Sequence, residues 1–91
     1  MLRFDWDERK NNANRTKHGV WFEEAQTVIP IPLTLMATNE HPDGDRMEYL
    51  GYSSESQLIY VVTVEQGDEV IRIVSARLAT ANERTKYEEG I

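Results

Sequence analysis

The chain has 91 residues, 40% of them hydrophobic, no cysteine and a formal net charge of −6. It reads as a single domain over residues 1–91, with one core and any sizeable site at its surface or at an interface. Without cysteine there are no disulfides, thiolate nucleophiles or cysteine-containing zinc sites, and His18 and His41 are the only imidazoles, so neither a metal nor a cofactor is expected. No stretch approaches the roughly 20 apolar residues of a membrane span, and Met1 is followed by Leu2, Arg3, Phe4 and Asp5 rather than an apolar signal segment. The expectation is a cytoplasmic protein with no membrane contact.

Phe4 and Trp6 alternate with Arg3 and Asp5, which suits a short first strand, and Asp7 follows as a helix N-cap. Residues 8–18, ERKNNANRTKH, predict a helix that Gly19 closes. Ala13 is nearly its only apolar residue, and Asn11, Asn12 and Asn14 weaken helicity, so few contacts should hold it. Phe22, Ala25 and Ile29 recur at helical spacing beside Val28, with Glu23 and Glu24 in the first turn, so a second short helix is expected before Pro30 and Pro32. Strands are then predicted over residues 33–37, 46–53, 58–65 and 70–77. The links NEHPDGD, SSES and QGDE have turn chemistry and imply an antiparallel meander. Thr80 and Glu83 have capping-box spacing and open a last helix toward Gly90. This order predicts an α+β domain: a twisted antiparallel sheet, the two N-terminal helices covering one face, and a C-terminal helix.

The acidic balance argues against nucleic acid, but the distribution of charge reverses that reading. Nine of the ten cations lie in residues 1–20 and 70–91, whereas residues 21–69 carry ten carboxylates and Arg46 alone as a cation. Ends that meet in the fold would present a local cationic surface, and the acidic middle would face a basic partner.

The strand VIRIVSAR is the most informative stretch. Period-two alternation puts Ile71, Ile73, Ser75 and Arg77 on one face and Val70, Arg72, Val74 and Ala76 on the other, so a cation projects from an apolar face. Arg72 either pairs with Glu48 or Glu65, snorkels to an edge, or waits in a groove for phosphate. Arg77, just before a helix, serves as a clamp or a ligand. Lys17 and His18 either cap a helix C-terminus or handle a phosphate and a proton. His41 reads as a solvated loop residue, and Tyr87, one turn after Glu83, as packing or catalysis. Glycine-rich phosphate loops, Ser-His-Asp orders, paired-carboxylate motifs and zincin motifs are all absent. Metal-free RNA cleavage stays open: the 2′-hydroxyl is the nucleophile, and a base, an acid and cations for the phosphorane complete the chemistry.

Three ordered blocks, FDWDERKNNANRTKHGVWFEEA, DRMEYLGYS and IRIVSARLATANERTKYE, resemble the BrnT family of toxins from bacterial type II toxin–antitoxin pairs, over Phe4 to Glu88. The resemblance implies a RelE-like α+β fold and ribonuclease (hydrolase) activity that inhibits translation. It also implies neutralisation by a BrnA-like ribbon-helix-helix antitoxin, with DNA reached only through that antitoxin. Lys17, His18, Arg46, Arg72, Arg77 and Tyr87 fall in the matching blocks and become the candidate site. Two positions depart from the family: Thr63-Val64-Glu65 replaces the usual Thr-x-Arg, and Trp21 stands where Ser or Thr usually caps the second helix, a loss of about 0.5–2 kcal/mol. The leading expectation is an RNA-cleaving toxin. Its rival is a binding module that keeps the fold as antitoxin partner and co-repressor component with weak or no nuclease activity.

Overall fold

The computed structural model describes residues 3–31, 33–39, 46–65 and 69–90. The expected turns at NEHPDGD and QGDE, and His41 with them, lie outside the described residues. The elements run β1 (Arg3–Asp5), α1 (Glu8–His18), α2 (Phe22–Ala25), β2 (Leu35–Asn39), β3 (Arg46–Tyr52), β4 (Leu58–Glu65), β5 (Val70–Leu78) and α3 (Ala81–Gly90). The five strands make one sheet in the order β1-β5-β4-β3-β2. β2 to β5 are antiparallel neighbours as expected, but β1 lies parallel to β5, with Asp5 opposite Arg72, so the sheet is mixed. The meander of β2 to β5 is as expected, and the parallel β1 is the departure, because pairing across more than sixty residues leaves no local turn signal.

The caps follow the sequence closely. The Asp7 carboxylate accepts from the Arg9 N–H at 2.8 Å, and Gly19 takes φ 75°, the left-handed conformation that ends α1. Thr80 and Glu83 form both halves of a capping box, the Thr80 N–H donating to Glu83 Oε1 at 2.9 Å and the Glu83 N–H to Thr80 Oγ1 at 3.2 Å. α2 is shorter than its apolar spacing predicts. Beyond Ala25 the N–H groups of Thr27 and Val28 reach back only three residues, and β-branched residues lead into Pro30.

α1 is held by two of the asparagines expected only to weaken it: Asn11 and Asn14 are buried, 1% and 8% exposed. The Asn14 amide donates to the carbonyls of Ala76 (2.7 Å) and Val20 (2.9 Å) and accepts from the Ala76 N–H (3.2 Å). Since β1 pairs only with Val70–Arg72, Asn14 supplies ladder hydrogen bonds further along the same strand. Asn11 Oδ1 accepts from the Phe22 N–H at 2.8 Å while its amide nitrogen donates to Glu23 at 2.8 Å. The cap missing at Trp21, which makes no side-chain capping bond, is thus replaced from another helix.

The main core gathers Val20, Phe22, Ala25 and Val28 with Tyr49, Ile59, Val61, Ile73 and Ala76, and Trp6 meets Phe22 edge-on at 6.1 Å. A smaller cluster of Leu50, Leu58 and Tyr87, with Leu35, Tyr60 and Ala79 against it, joins α3 to the sheet. The cluster memberships follow from strand register, except at one place. Thr63 pairs with Ile73 but Val62 pairs with Ser75, so Val74 is an extra residue in β5, a bulge. Strict alternation would put Ala76 beside Arg72. The bulge instead sends Ala76 into the core with Ile71 and Ile73, and turns Ser75 and Arg77 to the face of Arg72.

Candidate active site

On the sheet face away from the main core, register aligns side chains in rows. Arg46 lies opposite Val64 and Val64 opposite Arg72, so the two arginines flank one valine across about 10 Å. The next row holds Glu48, Val62 and Ser75, and the next Leu50, Tyr60 and Arg77. Three of the six candidate residues, Arg46, Arg72 and Arg77, therefore share a face.

Arg72 finds a carboxylate on β1 that the sequence did not point to. Its partner is Asp5 at 3.2 Å, the two side chains 34% and 49% exposed, and an ion pair that open contributes about 1 kcal/mol or less. The pair holds Arg72 in place without consuming it. Glu65 alternates to the other face, opposite Ile71 and near enough to Tyr49 for its charge to help burial raise that phenol's pKa. The departure from Thr-x-Arg thus lies off the arginine row.

Arg77 is fully engaged. Both of its terminal nitrogens donate to Glu83 at 2.7 Å, and its guanidinium stacks over Tyr60 at 4.3 Å. The hydrogen bonds to Glu83 raise the arginine's pKa beyond its ordinary value, while those same bonds, helped by the Thr80 N–H, bring the Glu83 carboxyl from 4.5 down to about 2 against the opposing effect of burial. Because the folded value lies below the unfolded one, the stabilisation is complete above about pH 4.5 and lost as pH falls toward 2. Urea melts across that window should show the wild type losing stability more steeply than Glu83→Gln. Parallel pH profiles would remove Glu83 as the group responsible.

The remaining candidates stand apart from the arginine row: Tyr87 packs from α3 onto the same sheet face beside Leu50, and Lys17 and His18 lie on α1. Tyr87 is 8% exposed and meets Tyr52 edge-on at 5.4 Å, its ring inside the smaller cluster. Lys17 and His18 end α1, with Arg15 also in that last turn, where cations oppose the negative helix end. His18 sits one turn beyond Asn14 on the same helix side, and Asn14 is bonded to Ala76, the residue before Arg77. Asn14 therefore ties the helix end carrying Lys17 and His18 to the strand carrying the arginines. No cation among the described residues approaches Trp21 except Arg15, 5.6 Å from a ring that is 43% exposed.

The family model described as "Ribonuclease toxin, BrnT, of type II toxin-antitoxin system" matches residues 6–83. The chain belongs to the BrnT family. The crystal structure of the Brucella abortus ribonuclease toxin, BrnT, is similar to it, with a TM-score of 0.70 and 23% identity over 88% of this chain and 99% of that one; at this identity the likeness concerns the fold. No curated protein sequence matches the chain. In this BrnT-family chain, sequence reasoning missed Asp5 as the partner of Arg72, Tyr60 as the stacking surface of Arg77 and Asn14 as the tie. Of these only the Asn-x-x-Asn spacing of Asn11 and Asn14, which places two amides on one side of α1, was a usable signal. Among the described residues, no helix is long and apolar enough to cross a membrane.

Proposed function

We propose that this chain is a RelE-like toxin that cleaves RNA without a metal, inhibits translation and is neutralised by a BrnA-like ribbon-helix-helix antitoxin. The row Arg46–Val64–Arg72 carries the proposal: two guanidiniums on one open sheet face, matched to phosphate oxygens. Arg46 and Arg72 bind the scissile phosphate and stabilise the charge that develops on the phosphorane. His18 takes the proton from the 2′-hydroxyl or returns one to the leaving 5′-oxygen, and Lys17 adds positive potential beside it. Arg77, held by Glu83, orients the site from its end. His18→Ala is expected to cost about 1 kcal/mol or less in stability, as a lost helix-end charge does, while RNA cleavage falls by about 10²-fold. A loss of activity no larger than the loss of stability would return His18 to capping.

A second reading has its own observation. Arg77 is saturated by Glu83 and Tyr60, and Tyr87 is buried, which suits a binding module whose arginines serve an acidic segment of the antitoxin. RNA incubated with the purified chain in excess chelator separates the two. Cleavage with 2′,3′-cyclic phosphate ends supports the nuclease. Intact RNA alongside tight, salt-dependent antitoxin binding supports the module.

A further inference from the structure

The bulge in β5 re-aims a second side chain besides Ala76. Thr63 faces Ile73 and Val62 faces Ser75, so Val74 stands unpaired between them, and a bulge of this kind redirects the residues beyond it. Without it Ser75 would follow Ile71 and Ile73 into the core. With it the hydroxyl comes out on the face of Arg72 and Arg77, half-buried and one row from Arg46, Val64 and Arg72. Adjacent rows lie about 7 Å apart along the strand, a distance that an arginine side chain spans, so one phosphate can touch Arg72 and Ser75 together.

Packing does not account for a serine there. Val, Ile and Thr suit a half-buried strand position better, and the hydroxyls that serve the fold are visibly bonded: Ser53 donates to Glu24 Oε2 at 2.6 Å, Thr27 to the Glu24 carbonyl at 2.7 Å and Thr34 to the Val28 carbonyl at 2.7 Å. The Ser75 hydroxyl has no hydrogen-bond partner among the described residues. Its backbone, by contrast, is pinned. Asn14 takes both the N–H and the carbonyl of Ala76, the next residue, at 3.2 and 2.7 Å, so the hydroxyl is held in position before any ligand arrives, as a pre-organised donor requires. Along β5, Ser75 stands between Arg72 and the point where α1 is tied to the strand.

We propose that Ser75 is a phosphate-binding residue of the RNA site, its hydroxyl donating to a non-bridging oxygen of the phosphate that Arg46 and Arg72 hold. The inference rests on the arginine row being the RNA site, and the experiment separates the two claims. Ser75→Thr keeps the hydroxyl, Ser75→Val replaces it with a methyl group of the same shape as threonine, and both suit a strand. Fluorescence anisotropy with a 2′-O-methyl pentauridylate, which lacks the attacking hydroxyl, measures binding without cleavage over a series of salt concentrations. Ser75→Thr should bind within about twofold of the wild type and Ser75→Val about tenfold more weakly, the scale of one hydrogen bond to a charged group. The salt dependence identifies the cause: a neutral donor releases no counterion, so Ser75→Val should keep the wild-type slope of log K against log salt, whereas Arg72→Ala should flatten it by about 0.7. Ser75→Ala, which cannot overfill the site, should repeat the valine result and replaces it if valine disturbs folding. Equal affinity of the threonine and valine variants, or a weakening accompanied by a flatter slope, overturns the role of the hydroxyl and leaves the arginine row standing. Failure of the wild type to bind overturns both.

Discussion

Asn14→Leu is expected to destabilise the fold by about 3 kcal/mol or more, the largest single-residue effect anticipated outside the apolar core. The side chain makes three buried hydrogen bonds, to the Ala76 N–H, the Ala76 carbonyl and the Val20 carbonyl. Leucine leaves all three backbone groups without partners, at about 1–3 kcal/mol each, relieved only where water reaches them. Its branched end also has to fit where a planar amide lay against a strand edge. Asn12, exposed one position from the buried Asn11, is the internal control: Asn12→Ala should be neutral or stabilising by a few tenths of a kcal/mol, since alanine is the better helix former. Urea denaturation of both variants measures the contrast. Equal midpoints would mean that α1 is not held by its asparagines. Because Asn14 also ties the Lys17–His18 end to β5, partial folding of the variant should be accompanied by a disproportionate loss of RNA cleavage.

The contrast between these two asparagines also marks what could be read from the sequence. Capping residues announce themselves locally, and Asp7, Gly19, Thr80 and Glu83 all act as their spacing predicts. The apolar strands and their antiparallel neighbours were legible for the same reason, with period-two patterns bounded by turn residues. What was hidden depended on distant chain segments. A polar helix with little amphipathic character gives no hint that two of its amides are buried, because the partners of Asn14 are a strand edge 62 residues away. Asp5 became the partner of Arg72 through a parallel pairing that no turn signals. The bulge at Val74 has no residue signature in VIRIVSAR, yet it decides that Arg77 joins Arg72 on one face and that Ala76 enters the core. The candidate arginines could be picked from residue type and resemblance, but their shared face could not.

Arg46→Ala and Arg72→Ala should each lower kcat/KM for RNA by about 10²-fold or more. A charged donor to developing phosphorane charge contributes about 3–4 kcal/mol to the barrier. Stability should barely move: Arg72 loses only a half-exposed ion pair with Asp5, about 1 kcal/mol or less. Asp5→Asn separates holding from chemistry. It removes that ion pair and keeps the guanidinium, so it should leave most of the activity. The RNA cleavage rate of the purified chain in excess chelator, measured for the wild type, Arg46→Ala, Arg72→Ala and Asp5→Asn, therefore tests the arginine row most directly. The account predicts a metal-independent wild-type rate, retained by Asp5→Asn and reduced about 10²-fold or more by either arginine variant whose folding is intact. Cleavage at wild-type rate by folded Arg46→Ala and Arg72→Ala would contradict it.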